Sequence, residues 1–187
     1  MSKGYDVIVV GARCAGSPTA MLLARKGYRV LAVDRATFPS DTVSTHLVHP
    51  PGVAALDRWG LLDRLVVTGC PPIDTYATDF GPFTITGAPG EGDAPVAYAP
   101  RRTVLDKILV DAAAEAGVEI RESFTVEGLV FEDGRAVGIR GHAKGGRTVT
   151  ERARVVVGAD GRYSLVADAV GAKEYNEKPK LLMSVIT

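Results

Sequence analysis

A glycine-containing turn near the amino terminus is the first stretch of the sequence with residues suited to a specific chemistry. The segment VVGARCAGSPTA places Gly11 and Gly16 between a short apolar run and a helical pattern. A pyrophosphate needs backbone N–H donors at close range, and a tight strand-to-helix turn supplies them at the positive end of the helix dipole. Gly11 permits such a turn, and Gly16 permits close packing of the helix on the strand. The segment therefore predicts a turn that binds the phosphates of a nucleotide.

The positions of three further residues make them candidates for the same binding site. Asp34 follows Gly11 by 23 residues, a spacing at which an acidic side chain can accept hydrogen bonds from the ribose hydroxyls of adenosine. Arg13 occupies the slot that usually holds a glycine, so we expect its Cβ to point away from the phosphates and its guanidinium to lie at the rim of the site. Ala15 completes the turn. A plain packing turn would show a similar pattern, and Asp34 would then be only a polar strand end.

The elements around the turn form a βαβ unit. Residues 5–11 (YDVIVVG) and 28–34 (YRVLAVD) predict buried strands, and SPTAMLLARKG predicts the helix between them. Pro18 is tolerable in the first turn of that helix, and Gly27 is placed to end it. The loop that follows, 35–51, carries no periodicity and begins with Arg35, which we include among the candidate binding residues because long polar loops beside nucleotide folds are often functional.

The middle of the chain predicts a helix and then an irregular excursion. Helical spacing of Val53, Leu56 and Trp59 predicts a helix at about 52–67. The stretch 68–100 is rich in glycine and proline and predicts short strands outside the main sheet.

The later segments predict an amphipathic helix and a run of strands. The helix covers RRTVLDKILVDAAAEAG and ends at Gly117, and a strand follows it. Three alternating segments, TVEGLVFE, AVGIRGHA and RTVTERA, are joined by DGR and KGGR, which are hairpin signals. They predict a three-stranded antiparallel meander. A further strand, RVVVGADG, and a short helix in YSLVADAVG complete the pattern.

Composition excludes several classes of partner and site. The charged residues cancel to a formal net charge of +0, so nothing favours nucleic acid or an anionic membrane surface. No apolar run has the length of a membrane span or a secretion signal, and we expect a cytoplasmic protein. Cys14 and Cys70 stand apart from any CxxC or His/Cys cluster. They predict two thiols outside any disulfide, with Cys14 as a small packing residue, and no metal site.

Three motifs together resemble the FAD-binding domain of glutathione-reductase-type flavoproteins. More specifically, they resemble the para-hydroxybenzoate-hydroxylase-like group of flavin monooxygenases, flavin-dependent halogenases and geranylgeranyl-reductase-like enzymes. The motifs are GARCAG with Asp34, RTVLDKIL, and GADGRYS. The resemblance covers nearly the whole chain. It implies an α/β fold, with a Rossmann-like parallel sheet and a three-stranded antiparallel β-meander as crossover, that binds FAD.

The resemblance also assigns roles to individual residues. It implies that Arg102 reaches the flavin side of the cofactor, and that Asp160 and Gly161 lie near the pyrophosphate and ribityl chain. The sequence leaves a role without cofactor contact open for both residues: Arg102 as a solvated charge and Asp160 as a turn former. Ser44 stands where many hydroxylase relatives carry arginine, so the segment STHL must line the cofactor differently. His46 and His49 are taken as exposed or packing histidines rather than as a general base.

These inferences favour an NAD(P)H-dependent flavoprotein monooxygenase acting on a small organic substrate, with no catalytic residue assigned. The alternatives are a geranylgeranyl-reductase-like enzyme that saturates an alkene and a non-catalytic nucleotide-binding fragment. We expect an FAD-binding domain at 1–178 and the start of a truncated substrate domain at 179–187. The 187-residue chain alone is then expected to be inactive, with its terminal strand available for self-association.

Overall fold

The computed structural model describes residues 4–91 and 95–173. They divide into two compact units, the first comprising residues 4–40 and 109–173 and the second residues 41–91 and 95–108. The expected terminal strand at 179–187, with its expected self-association, lies outside the described residues. The domain boundaries drawn from the sequence stay a prediction.

In chain order the elements are β1 (Tyr5–Val10), α1 (Gly16–Arg25), β2 (Val30–Val33), α2 (Pro50–Arg58), α3 (Leu62–Val66), β3 (Pro72–Ile73), β4 (Tyr76–Asp79), β5 (Thr84–Gly87), β6 (Ala97–Tyr98), α4 (Arg102–Glu115), β7 (Glu119–Arg121), β8 (Phe124–Glu132), β9 (Arg135–Ala143), β10 (Val149–Gly158) and α5 (Leu165–Ala169).

The first unit is built on a six-stranded sheet with the strand order β7-β2-β1-β10-β9-β8. Strands β7, β2, β1 and β10 run parallel, while β9 pairs antiparallel with both β10 and β8. The turn between β8 and β9 is the predicted Asp-Gly hairpin, in which Asp133 and Gly134 both have positive φ, 48° and 74°. The predicted fold class, a parallel sheet with a three-stranded antiparallel meander, is confirmed.

One prediction about the meander is wrong. RTVTERA and RVVVGADG are not separate strands, because Val149–Gly158 forms one continuous strand. Its first half pairs with β9, at Val149–Arg152, and its second half pairs with β1 from Ala153 onward. A strand that changes neighbours in this way joins the meander to the parallel sheet without a turn. The alternation of polar and apolar residues ends where the partner of β10 changes from β9 to β1. In the sequence this change of pattern resembles the end of one strand and the start of another.

The apolar residues of the βαβ unit form the core predicted for them. Ile8 and Leu31 are fully buried on one face of the sheet, in a cluster that also contains Phe124, Ile139 and Val166. Helix α1 packs on β1 and β2, and its Ala20 and Met21 are fully buried. Gly27 has a φ of 86° just after the helix ends, as its C-terminal position predicted.

The second unit contains short elements. The single helix predicted at 52–67 is wrong, since α2 and α3 are separate helices and Gly60 between them has a φ of 73°. The glycine- and proline-rich excursion forms short strands as predicted, with β3 pairing with β6 and β4 with β5. Helix α4 begins among residues of the second unit and ends among those of the first. Across both described ranges, 4–91 and 95–173, no helix has the length and apolarity needed to cross a membrane.

Candidate functional site

The carboxyl ends of three parallel strands bring the predicted binding segments of the first unit together. Gly11 follows β1, Asp34 follows β2, and the Ala159–Gly161 segment follows β10. Backbone hydrogen bonds join these ends: the Gly11 N–H donates to the Val33 carbonyl over 2.8 Å, and the Ala159 N–H donates to the Val10 carbonyl over 2.7 Å. Ligands of open α/β sheets bind outside the carboxyl ends of the strands. This edge is therefore the candidate site.

The two glycines of the turn are required by close contacts of the backbone. Gly11 has a φ of 97°, and a Cβ there would collide with the Ala159 carbonyl group. A Cβ at Gly16 would collide with the carbonyl oxygen of Gly11 and lie 3.2 Å from Cγ1 of Val9. The helix therefore begins directly against the strand, as the sequence predicted for Gly16. Any side chain larger than hydrogen at either position would force the turn open.

The amino terminus of α1 is suited to an anion. Ala15, at the N-cap, makes no side-chain cap, and the first turn of the helix contains no acidic residue. The 10-residue helix thus presents its positive end to this edge of the sheet without a negative side chain of its own. Ser17 supports the turn, since its buried hydroxyl donates to the Ala12 carbonyl over 2.6 Å. Ser17 was not identified from the sequence, because a serine inside a helix carries no distinctive signal.

The Asp34 carboxylate is fixed by two backbone donors. Its Oδ2 accepts from the Ala12 N–H and its Oδ1 from the Ala36 N–H, each over 2.8 Å. The first of these bonds ties Asp34 to the glycine turn. A carboxylate has about four acceptor positions, so both oxygens retain capacity for ligand hydroxyls. The two bonds hold the carboxylate in place, and its contact with ribose stays a prediction. Arg35, beside it, is exposed.

The Arg13 side chain extends toward the loop after Asp34. Its Nη2 donates to Oγ of Ser40 over 2.9 Å, and its Cζ lies 5.3 Å from the centroid of the Phe38 ring. The expectation that its Cβ points away from the phosphates, with the guanidinium at the rim of the site, stays a prediction. Arg13 thus replaces a glycine of the common pattern with a side chain that holds a neighbouring loop.

The Asp160 carboxylate serves the helix that follows it. Its Oδ1 accepts from the Ser164 hydroxyl over 2.5 Å and its Oδ2 from the Val166 N–H over 3.3 Å, while Ser164 Oγ accepts from the Ala167 N–H. These bonds give Asp160 a structural role at the start of α5, and the turn-forming alternative left open by the sequence stays a prediction. Gly161 is exposed and has a φ of 78°. A cofactor contact of Asp160 and Gly161 stays a prediction.

Ser44 and Arg102 lie in the second unit. The guanidinium of Arg102 pairs with the Asp106 carboxylate one helical turn later, with Nη2 3.0 Å from Oδ1, and the Arg102 side chain is only 14% exposed. The alternative of Arg102 as a solvated charge is therefore wrong. Asp106, fully buried, was missed as the residue that orients Arg102, although the R-x-x-x-D spacing could have shown it. Ser44 Oγ accepts from the His46 N–H over 3.1 Å.

The structure also describes the two histidines and the two cysteines considered from the sequence. His49 is exposed and its Nδ1 lies 3.0 Å from the Tyr76 hydroxyl. His46 has a φ of 58°, and its buried Nδ1 has no hydrogen-bond partner among the described residues. Cys14 is exposed, so its predicted packing role is wrong; the turn directs it outward, away from the core. Cys14 and Cys70 form no disulfide in the described part of the chain.

A network of polar side chains, none of them identified from the sequence, joins strands β1, β7 and β10 of the same sheet. The Tyr5 hydroxyl donates to Oε2 of Glu119 over 2.6 Å and accepts from Nη2 of Arg121 over 2.9 Å. Nη1 of Arg121 also donates to Oε1 of Glu151 over 2.6 Å. Burial and the hydrogen bond to Glu119 raise the pKa of Tyr5 to about 12. The hydrogen bond from Tyr5 lowers the pKa of Glu119. The network therefore favours a neutral tyrosine beside an ionised glutamate.

The parallel sheet, the glycine turn and the acidic end of the second strand define the dinucleotide-binding class of α/β folds. The chain belongs to the FAD binding domain family, whose model matches residues 4–186. The sequence-based resemblance to FAD-dependent oxidoreductases of the monooxygenase, halogenase and geranylgeranyl-reductase group is thus confirmed.

Two relatives and one solved structure illustrate the family. Protein FixC of Salmonella typhimurium is 32% identical to this chain over an alignment that covers 96% of this chain and 45% of that protein. Digeranylgeranylglycerophospholipid reductase 1 of Methanococcoides burtonii is 31% identical, with 91% of this chain and 41% of that protein covered. The myxobacterial chondrochloren halogenase CndH, an FAD-dependent halogenase, has a TM-score of 0.76 at 28% identity, covering 84% of this chain and 38% of its own. The chain thus spans less than half the length of these proteins.

Proposed function

We propose that the chain supplies the FAD-binding part of a flavoprotein monooxygenase that uses NAD(P)H as reductant and acts on a small organic substrate. The observation that carries the cofactor assignment is the arrangement of the glycine turn and Asp34 at the carboxyl ends of β1 and β2. There Gly11 and Gly16 admit no Cβ, and the Asp34 carboxylate is held against the turn. The monooxygenase class rests on the motifs around Arg102 and Asp160, which resemble those of flavin hydroxylases.

The residues at this edge fit the adenosine diphosphate half of FAD. The Gly16 N–H at the start of α1 would donate to the pyrophosphate, since no acidic side chain or side-chain cap competes for it. The Ser17 N–H already donates to the Arg13 carbonyl over 3.0 Å, and Pro18 has no N–H. Asp34 would accept from the adenosine ribose hydroxyls, and both of its backbone hydrogen bonds would hold the carboxylate in place as it does so. Arg35 and the Asp160–Gly161 segment would add contacts at the rim. Bound FAD would supply the redox chemistry, and the chain its binding and orientation.

The flavin-side contacts rest on the resemblance alone. Arg102 is pre-oriented for such a role, because its pairing with buried Asp106 fixes a guanidinium that is still 14% exposed. Ser44, in the loop between β2 and α2, offers a hydroxyl. Both stay predictions as cofactor-binding residues, and so does the cytoplasmic location of the protein.

A second candidate function is the reduction of an alkene by hydride transfer. It is favoured by two relatives of this chain, one from Methanococcoides burtonii and one from Methanopyrus kandleri. Both are named as digeranylgeranylglycerophospholipid reductases, and they are 31% and 32% identical to this chain. Both candidates use the same FAD site. They differ in the chemistry that bound FAD would supply, which is oxygen activation in the first and hydride transfer to a carbon–carbon double bond in the second.

The experiment that tests the proposal is titration of the chain with FAD and with ADP, followed by calorimetry. ADP carries the pyrophosphate and adenosine ribose that the carboxyl edge is expected to bind, so saturable ADP binding supports the site even where the flavin half contributes little. Absence of binding of both ligands would overturn the proposal. In a longer protein that includes this chain, oxygen consumption with NADPH, compared with saturation of a prenyl double bond under anaerobic conditions, then separates monooxygenase from reductase.

A further inference from the structure

Arg13 is the residue of the glycine turn that the common pattern does not explain. Its guanidinium makes two contacts to Ser40, with Nη2 2.9 Å from Oγ and Nη1 3.5 Å from the carbonyl oxygen. It also lies over the Phe38 ring, with Cζ 5.3 Å from the ring centroid. A planar guanidinium with donors at fixed angles and a face that stacks on an aromatic ring suits this combination, and a lysine ammonium does not.

The loop that receives these contacts, residues 35–40, is the segment that follows Asp34. Phe38 is 8% exposed and packs in one cluster with Ala12 of the turn. At its other side the loop is held by Glu122, whose Oε2 accepts from the Phe38 N–H over 3.1 Å. The loop is therefore fixed between the glycine turn and the connection that precedes β8.

The same loop holds the Asp34 carboxylate. The Ala36 N–H donates to Oδ1 of Asp34, while Oδ2 accepts from the Ala12 N–H of the turn. A continuous series of contacts thus leads from the Arg13 guanidinium through Ser40 and Phe38 to Ala36 and on to Asp34. A displacement of the loop would remove one of the two donors that orient the carboxylate.

We propose that Arg13 is a positioning residue: it fixes the loop of residues 35–40 and, through it, the Asp34 carboxylate that receives the adenosine ribose. Its role is the support of Asp34 rather than a contact with the phosphates. This inference rests on the proposed nucleotide site. It implies that glycine at position 13 would weaken binding although it restores the common pattern, because glycine would remove both the Ser40 and the Phe38 contacts.

The test is a set of ADP titrations of the chain with Arg13→Met, Arg13→Lys, Ser40→Ala and the double variant Arg13→Met/Ser40→Ala. We expect Arg13→Met to weaken ADP binding about ten-fold, the scale of one charge-assisted hydrogen bond. Ser40→Ala should weaken it less, and the double variant should lose no more than Arg13→Met alone, since the two residues act through one contact. Arg13→Lys should restore little of the loss.

A phosphate contact would give a different pattern. Lysine would then restore most of the affinity, and the ratio of dissociation constants between the native chain and Arg13→Met would shrink between about 50 mM and 500 mM salt. A positioning role keeps that ratio constant. Lys26→Met, which removes one exposed positive charge after α1, controls for the change in net charge and should leave ADP binding unchanged.

The outcomes separate the two proposals. If the native chain binds neither ADP nor FAD, the nucleotide site itself is wrong and Arg13 has nothing to position. If the native chain binds ADP, the positioning role is overturned by equal affinity of Arg13→Met, by rescue with lysine, or by additive losses in the double variant. Circular dichroism melts of each variant establish that the affinities are measured on folded protein.

Discussion

At the scale of single residues, the structure shows side chains of the expected types held by partners that the sequence did not show. Asp34 was identified by its distance from the glycine turn, and that spacing follows from the fixed length of a βαβ unit. One of its two backbone donors, the Ala36 N–H, lies in a loop without periodicity and could not be inferred, while the other, the Ala12 N–H, belongs to the glycine turn. The partner of Arg102, Asp106, could have been found from its four-residue spacing on a helix, whereas the bond from Ser164 to Asp160 depends on the conformation of the segment after β10.

Replacement of Asp34 by alanine tests the ribose acceptor. The loss of a charge-assisted pair of hydrogen bonds is worth on the order of 2–3 kcal/mol, so ADP affinity should fall roughly 30- to 150-fold. Asp34→Asn keeps one acceptor oxygen for the Ala12 N–H and should give an intermediate loss. Calorimetric titration of the three proteins measures this order. Unchanged affinity in Asp34→Ala would remove this carboxylate from the site.

Replacement of Gly16 by alanine tests the close approach of helix and strand. The added Cβ collides with the Gly11 carbonyl oxygen, so we expect urea unfolding to show a loss of about 1–3 kcal/mol, the usual cost of overpacking. Gly128→Ala is the matched control, because a Cβ there meets no atom within 4 Å and no positive φ is required. Equal stability of the two variants would contradict the close contact at Gly16.

At the scale of elements, sequence patterns were sufficient where one periodicity runs from end to end. Helix α1 and the Asp133–Gly134 hairpin belong to this class, since each is specified by local residues. Strand β10 does not, because its neighbours change from β9 to β1 along its length. The helix expected at 52–67 failed for a local reason, the positive φ of Gly60, which a continuous apolar spacing on both sides concealed.

Helix α5 gives a prediction about its amino-terminal support. The Ser164 hydroxyl accepts from the Ala167 N–H and donates to Asp160. Ser164→Ala removes both interactions and should lower the free energy of unfolding by about 1 kcal/mol, as for other N-caps. Ser164→Asp keeps an acceptor for the Ala167 N–H but places a second carboxylate beside Asp160, so it should not restore the loss. Chemical denaturation measures both variants, and a Ser164→Ala protein of native stability would show that the cap contributes nothing.

At the scale of the whole molecule, the first unit combines two kinds of support for its sheet. Apolar side chains such as Ile8 and Leu31 form the core, and their burial was evident from the strand patterns. The network of Tyr5, Glu119, Arg121 and Glu151 instead joins strands far apart in the sequence. No local pattern marks such a network, because its members acquire their partners only when β1, β7 and β10 enter one sheet.

The Tyr5 hydroxyl in this network gives a pH dependence of stability. The pKa of Tyr5 is raised from 10.0 to about 12 in the folded protein. The native state therefore keeps a proton that the unfolded chain releases above pH 10, and the free energy of unfolding should fall as the pH rises from about 10 to 12. The Tyr5 contribution is fully present below this window. Two pKa units correspond to at most about 2–3 kcal/mol.

The Tyr5→Phe variant isolates this effect from the other groups that titrate at high pH. We expect the difference in unfolding free energy between the native chain and Tyr5→Phe to decrease by up to about 2–3 kcal/mol across the window, as urea denaturation at a series of pH values measures it. Tyr28→Phe, at a tyrosine that is 46% exposed, should show no such trend. Glu119→Gln should make the decrease smaller and end it at a lower pH, because the carboxylate that accepts from the Tyr5 hydroxyl raises the Tyr5 pKa in the folded protein. A difference that stays constant from pH 10 to 12 would mean that the Tyr5 hydroxyl titrates alike in the folded and unfolded chains, and the network would then have no part in holding its proton.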